Sequence, residues 1–317
     1  MKVLITGGAG FIGSNLVAAF LSSEAITEVH VLDNLSTGLE ENLRPSFLHP
    51  KFHFVNASIT DFNACMDACY GKDAVCHQAA LGSVPRSIAS PGDTHQANVD
   101  GFFNMLNAAR EQKVKRFVYA SSSSVYGDAD YSPKIESRTG EPLSPYAVSK
   151  KINEYYANVF ARNYGMQTIG LRYFNVFGPN QRPDGPYAAV IPLFFKSALQ
   201  NISPVINGDG SISRDFTFVE NVVNANLKAL FTENTQAFGQ VFNIACGSTT
   251  SLNELWQAVK EVCGAAVDAT HGPQRQGDIL HSVANIEKAR EQLQYNPSVL
   301  LHEGLLKTYP WYKNQLA

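Results

Sequence analysis

The chain has 317 residues, 44% hydrophobic and 17% charged, the make-up of a globular protein long enough for two domains. With 28 acidic against 25 basic residues its formal net charge is −3, which recommends neither a nucleic-acid nor an anionic-membrane partner. Cys65, Cys69, Cys76, Cys246 and Cys263 are odd in number and lack CxxC spacing, so free thiols in a reducing cytoplasm are expected, with no disulfide and no metal site. The chain passes from Met1-Lys2 straight into the apolar run "VLITGG", too short to span a bilayer and without a cleavage site, so no signal peptide is expected.

In chain order, "KVLIT" (2–6), "VHVLD" (29–33), "FHFVN" (52–56), "DAVCHQAA" (73–80) and "RFVYASS" (116–122) read as buried strands. Helical patterns occupy 11–22 and about 95–112, where Val99, Phe102, Phe103, Leu106 and Ala109 recur at helical spacing. Ser144 reads as N-cap and Pro145 as first residue of a helix to about Asn163, leading into the strand "TIGLRYFNVFG" (168–178). This alternation predicts an α/β protein with a Rossmann-type doubly wound parallel sheet. After Gly178 come the turn-rich "GPNQRPDGPYAAVIP" and then "INGDGSISRDF" (206–216), whose Asn-Gly and Asp-Gly pairs signal a hairpin. Short helices and turns follow, with a last helix around 285–293.

The first strand runs directly into "ITGGAGFIGSNL", where Gly7, Gly10 and Gly13 form G-x-x-G-x-x-G at the opening of a helix. Glycine there lets the chain turn tightly and lets backbone approach a pyrophosphate at the helix N-terminus. Such turns also serve purely structural ends, but Asp33 closes the second strand about twenty residues on. Its carboxylate can accept from a ribose 2′-hydroxyl and repels a 2′-phosphate, so NAD is favoured over NADP. An NAD-binding domain over 1–178 is therefore expected. A smaller α/β substrate domain, mainly 179–317, follows it, with segments of about 214–245 packing back on the first.

Tyr146 and Lys150 stand one turn apart on one helical face, which by itself fits an incidental solvated pair equally well. With the glycine motif and "SSSSVYG" (121–127), however, "YAVSK" (146–150) resembles the extended short-chain dehydrogenase/reductases. The likeness continues through "NVDGFFNMLNAA" (98–109), "LRYFNVFGP" (171–179), "RDFTFVENVV" (214–223) and "RQGD" (275–278). Within that superfamily the chain is most similar to nucleotide-sugar 4-epimerases, and "AALGSVPRS" (79–87) resembles UDP-N-acetylglucosamine 4-epimerases.

The resemblance implies an NAD-dependent enzyme interconverting UDP-GlcNAc and UDP-GalNAc, alongside UDP-glucose and UDP-galactose, through a transient 4-keto sugar. Tyr146 would be the acid/base at the sugar 4-hydroxyl, its phenol lowered by the Lys150 ammonium and the positive nicotinamide, with Lys150 also holding the nicotinamide ribose. Counting back from Tyr126 selects Ser122 as the third catalytic group, with Ser123 the near competitor; Ser124 could touch the sugar. Family dehydratases carry an Asp-Glu pair where this chain has Ser123 and Ser124, which argues against dehydration. Phe11 and Ile12 would join the glycines around the cofactor, with Asn34, Ser36 and Gly38 after the second strand. Ser58 and Ile59 would follow the third, and Gln78, Ala79 and Ala80 the fourth. Asn98 and Tyr173 complete the implied cofactor set. The family usually has Asp at position 58, so Ser58 leaves the adenine contact in question.

On the substrate side the resemblance implies that Gly82, Ser83 and Arg86 face the sugar and Asn175 the diphosphate or sugar. Ala189 and Val190 would lie along the uracil, Arg214 and Arg275 would neutralise phosphate, and Asp278 would close the nucleotide end. Ser282 would stand beside the sugar's 2-substituent, where a small residue leaves room for an N-acetyl group. A homodimer through the helices at 95–112 and 145–163 is likewise implied. A related epimerase or reductase acting on another base or sugar is the alternative enzyme. A non-catalytic NAD-binding regulator is the alternative from another class, disfavoured because Tyr146 and Lys150 are both present.

Overall fold

The computed structural model of the protein describes residues 1–184, 188–273 and 281–316. The apolar runs form seven parallel strands: β1 (Lys2–Thr6), β2 (Glu28–Asp33), β3 (Phe52–Asn56), β4 (Ala74–His77), β5 (Arg116–Ser122), β6 (Gln167–Tyr173) and β7 (Gln240–Ile244). Their order is β3-β2-β1-β4-β5-β6-β7, that of a Rossmann sheet. Side chains alternate across it. Val3 and Ile5 join a core with Leu16, Val17 and Phe20 of the helix Phe11–Leu21, while Leu4 joins Phe102 and Met105 of the helix Gly101–Glu111. Burying both faces is why these strands read as unbroken apolar runs. A third core, with Phe177, Phe194, Trp256 and Tyr312, takes no buried residue from the seven strands. The helices Val190–Leu199, Leu252–Cys263 and Leu301–Leu316 contribute to it. Among the described residues no helix is long and apolar enough to cross a membrane.

Several elements depart from expectation. The strand expected over 73–80 stops at His77; the Gln78 N–H still reaches the Thr6 carbonyl at 3.0 Å, and there β4 parts from β1. The strand expected over 168–178 breaks after Tyr173, because Asn175 takes φ +33° and the chain resumes as Val176–Phe177 beside Thr217–Phe218. The hairpin at 206–216 does not form. Gly208 and Gly210 do turn the chain at φ +70° and +76°, but the arms part. Val205–Asn207 pairs with Thr270–Gly272, and Ser213–Arg214 with Thr250–Ser251 and His281–Ser282. The helix expected at 95–112 is three pieces, Pro91–His95, the π-helical Gln96–Asp100 and Gly101–Glu111. Unforeseen were Phe62–Cys69, capped by the Asp61 carboxylate, and Leu301–Leu316, whose Pro310 reads as a breaker.

At the mouth of the sheet a Cβ on Gly13 would lie 2.0 Å from the Gly7 carbonyl oxygen and 2.7 Å from Gly8 Cα, which are backbone atoms unable to swing aside. Gly13→Ala is expected to cost about 2 kcal/mol or more, read as a lowered thermal midpoint by calorimetry. Gly92→Ala, whose Cβ meets nothing within 4 Å, is the control expected to stay within about 0.5 kcal/mol of wild type.

Candidate active site

One cavity of about 820 Å³ runs across the carboxyl ends of the strands, within the range of cofactor and substrate sites. Its floor is the turn after β1. Gly7 takes φ +70°, and a Cβ there would meet Ala79 N at 2.6 Å, so the first and fourth crossovers touch backbone to backbone. Gly10 is the N-cap of Phe11–Leu21 and offers no side chain to the first turn, leaving the helix N-terminus open to an anion. Asp33 is oriented by two backbone donors, Ala9 N–H on Oδ2 and Leu35 N–H on Oδ1, each at 2.9 Å. Asn34, Ser36 and Gly38 continue the wall. Ser58 and Ile59 line it too, and the Ser58 hydroxyl pairs with Thr60 Oγ1 at 2.8 Å. This cradle, closed to a Cβ at Gly7 and Gly13, fits a dinucleotide pyrophosphate with its ribose at Asp33.

Gln78, Ala79, Ala80 and Tyr173 line the middle of the cavity. Asn226, on the helix Val219–Phe231, holds this part. Its Nδ2 donates to Tyr173 OH at 2.9 Å and its Oδ1 accepts from Gln78 Nε2 at 3.3 Å and from Cys76 Sγ at 3.1 Å. Asn98 does not reach the cavity wall. Its side chain clamps Leu81 instead, accepting its N–H at 2.7 Å and donating to its carbonyl at 3.0 Å.

At the far end Ser122, Tyr146 and Lys150 meet. The helix Pro145–Tyr164 starts where expected, with the Ser144 hydroxyl accepting the Ala147 N–H at 3.2 Å. Lys150 Nζ is buried, donates to the Ala120 carbonyl at 2.9 Å and stands 5.9 Å from the Tyr146 ring centroid. Burial pulls the lysine down to about 8. Burial also pushes the Tyr146 phenol above its ordinary value, with the Ser122 hydroxyl drawing it partly back. The lowering expected from the lysine is therefore not delivered by the protein's own groups, because desolvation penalises the phenolate. Ser122 Oγ accepts the Ser124 N–H at 3.1 Å, which leaves its proton for the phenol oxygen.

The other expected residues are spread more widely. Gly82, Ser83 and Asn175 line the cavity, Ser83 with φ +89°. Ser123 and Ser124 form the 3-10 turn Ser123–Tyr126 just outside the wall, and the Ser124 hydroxyl is buried without a partner among the described residues. Arg86 sits in the short helix Val84–Ala89, and Ala189 and Val190 begin the helix Val190–Leu199; none of the three lines the cavity. Arg214 and Ser282 are register partners in the small sheet beside it. Arg275 and Asp278 lie outside the described residues.

Sequence reasoning missed the residues that brace the site. Asp215 is fully buried, and its carboxylate accepts the Cys246 and Gly247 N–H groups at 2.9 Å and that of Ala284 at 3.3 Å. Its backbone accepts from Asn175 Nδ2 at 3.0 Å and donates to the Ser282 carbonyl at 3.0 Å. The signal for Asn226 was present: an amide on a helical face otherwise made by Val222, Ala225 and Ala229. At the opposite end of the sheet, Glu28, His30 and His53 bring ligand atoms within 4.8 Å of one another. Lys2 pairs with Oε1 of that carboxylate at 2.7 Å, His30 Nε2 lies 2.8 Å from its Oε2, and the two imidazole rings stack at 19°.

Residues 3–245 match the NAD dependent epimerase/dehydratase family. The UDP-glucose 4-epimerase of Mycolicibacterium smegmatis is 37% identical over 317 residues, covering 99% of each chain. Among solved structures, the UDP-N-acetylglucosamine 4-epimerase of Methanobrevibacter ruminantium M1, in complex with UDP-N-acetylmuramic acid, superposes with TM-score 0.93 at 36% identity, covering 99% of this chain and 98% of that one. The Thermotoga maritima UDP-glucose 4-epimerase, with UDP-glucose, gives TM-score 0.92 at 35% identity over the whole of both chains. With the glycine cradle, Asp33 and the Tyr146–Lys150 helix all opening on one cavity, these likenesses establish that the chain belongs to the NAD-dependent epimerase/dehydratase family.

Proposed function

We propose that the protein is a nucleotide-sugar 4-epimerase that interconverts UDP-GlcNAc and UDP-GalNAc, accepts UDP-glucose and UDP-galactose as well, and works as a cytoplasmic homodimer. The observation that carries this is the meeting of Ser122, Tyr146 and Lys150 at one end of the cavity whose other end is the glycine cradle. NAD, when bound, supplies a hydride acceptor at the sugar's carbon 4 and the return of that hydride to the opposite face. Tyr146 takes the proton of the 4-hydroxyl at its phenol oxygen and gives it back on the return. Ser122 donates to that oxygen and stabilises its charged form. Lys150, tethered to the Ala120 carbonyl, puts a cation within reach of the cofactor's ribose and the phenol. By resemblance to the family, Asn175 would contact the diphosphate or sugar, Arg214 and Arg275 would neutralise phosphate, Ala189 and Val190 would lie along the uracil, and Asp278 would close the nucleotide end. Ser123 and Ser124 offer no carboxyl proton donor or acceptor, which separates this site from elimination chemistry. The relatives named for UDP-glucose favour a second reading, in which only the plain hexoses turn over.

Three outcomes are expected. Purified protein mixed with UDP-GlcNAc, without added NAD, yields UDP-GalNAc anomeric signals by proton NMR, and Tyr146→Phe lowers that rate by about 10²-fold or more. Turnover of UDP-glucose alone selects the second reading, and no turnover of either sugar discards both. Second, Ser282→Tyr removes activity on the acetylated pair and spares the plain hexoses; equal retention of both places the gate elsewhere. Third, Phe103, Tyr155, Tyr156 and Val159 leave an exposed apolar face on the helices Gly101–Glu111 and Pro145–Tyr164, with Phe103 and Tyr156 rings 5.1 Å apart. Tyr155→Asp with Val159→Asp should turn a dimer into a monomer by light scattering, and an unchanged mass would move the interface off this face.

A further inference from the structure

Behind the reacting end, the helix Pro145–Tyr164 presents Tyr146, Lys150 and Glu154 at successive turns of one face. Each is matched to a different residue of the end of β5. Tyr146 faces the Ser122 hydroxyl, Lys150 Nζ donates to the Ala120 carbonyl at 2.9 Å, and the Ser121 hydroxyl donates to Glu154 Oε1 at 2.6 Å. Glu154 is in turn gripped by Arg172 of β6 in a two-point fork, Nε to Oε1 at 2.8 Å and Nη2 to Oε2 at 2.9 Å. Both partners are buried, Arg172 at 2% and Glu154 at 7% exposure. Arg172 is the register partner of Ser121 on one side and of Asn243 in β7 on the other. Tyr126 OH closes the row, accepting from Arg172 Nη1 at 3.0 Å and donating to Asn243 Oδ1 at 2.6 Å.

A buried ion pair is a poor source of stability, since apolar residues of the same volume do as well or better. A two-point fork does fix geometry, and this one locks the catalytic helix to three adjacent strands at once. We propose that Glu154, held by Arg172, is a positioning residue that sets the depth and register of Tyr146 and Lys150 against Ser122. This rests on the reading of those three as the reacting group. One further turn along the helix, Glu154 touches none of the reacting atoms and acts through Ser121 and the helix.

The test uses the NAD-loaded protein. Glu154→Gln and Arg172→Lys, the second keeping the charge and losing the fork, are expected to lower kcat by about tenfold to a hundredfold. KM for the UDP-sugar should stay within about twofold, because uniform binding is untouched. Ser121→Ala alters no charge and leaves the ion pair in place, so it serves if the first two fail to fold. Its Tyr146 phenol, followed by ¹³C NMR of ζ-labelled tyrosine and assigned by its loss in Tyr146→Phe, is expected to titrate at higher pH than in wild type as the Ser122 contact loosens. Unchanged kcat in folded Glu154→Gln and Arg172→Lys, or an unmoved Tyr146 titration in Ser121→Ala, overturns the proposal. A wild type that turns over no nucleotide sugar, with the Tyr146 titration still shifted in Ser121→Ala, sinks the proposed function and upholds this inference.

Discussion

Two parallel strands that lie side by side, β1 and β4, must send their chains off toward opposite faces of the sheet, and the crevice this opens is where the site is built. The chain from β1 enters Phe11–Leu21 on one face, while that from β4 reaches Gly101–Glu111 on the other. Their turns then touch at Gly7 and Ala79, too closely for any side chain. Thr6 and His77 stitch the strand ends together. The Thr6 hydroxyl lies 2.9 Å from His77 Nδ1, with a hydrogen bond between them, and accepts the Ala79 N–H at 3.3 Å. The open end of a helix, a fixed carboxylate at Asp33 and the exit of β5 all follow from that divergence.

Burial governs the electrostatics of the same crevice. It pulls Lys150 to about 8 and His77, with the lysine's charge assisting, to about 3. It lifts Tyr146, and lifts Asp215 to about 6 against four backbone donors. Each group is pushed toward its neutral form. A further positive charge placed beside such a phenol favours its ionised form. Under the proposed function, the positive nicotinamide of bound NAD would supply such a charge beside Tyr146.

Much of this was legible along the chain, for a physical reason. The glycine turn, Asp33, the Ser144 cap and the Tyr146–Lys150 spacing are local, each decided within a turn or two, and the structure brings all of them but the cap to one cavity wall. What escaped was set by distant partners. Nothing near Gly208 and Gly210 says that the arms of their turn will pair with Thr270–Gly272 and Thr250–Ser251 instead of each other. β7 was unseen because its strand identity comes from the free edge of β6. Asn98 sits beside the site yet works on Leu81, a distinction that motif spacing does not contain.

The two halves of the cavity are also held by different means. The half around the glycine turn is backbone against backbone at Gly7 and Gly13, where an added Cβ meets atoms that do not yield. The half around Asn175 hangs on side-chain ties spanning the sequence. The Asp215 carboxylate gathers Cys246, Gly247 and Ala284, and its backbone gathers Asn175 and Ser282. With the frame fixed through Asp215, a side chain such as Ser282 can change size without moving the strand that carries it. Under the proposed function, a scaffold arranged in this way would keep one redox chemistry constant while the accepted sugar is rewritten at single positions, so that site and fold come apart.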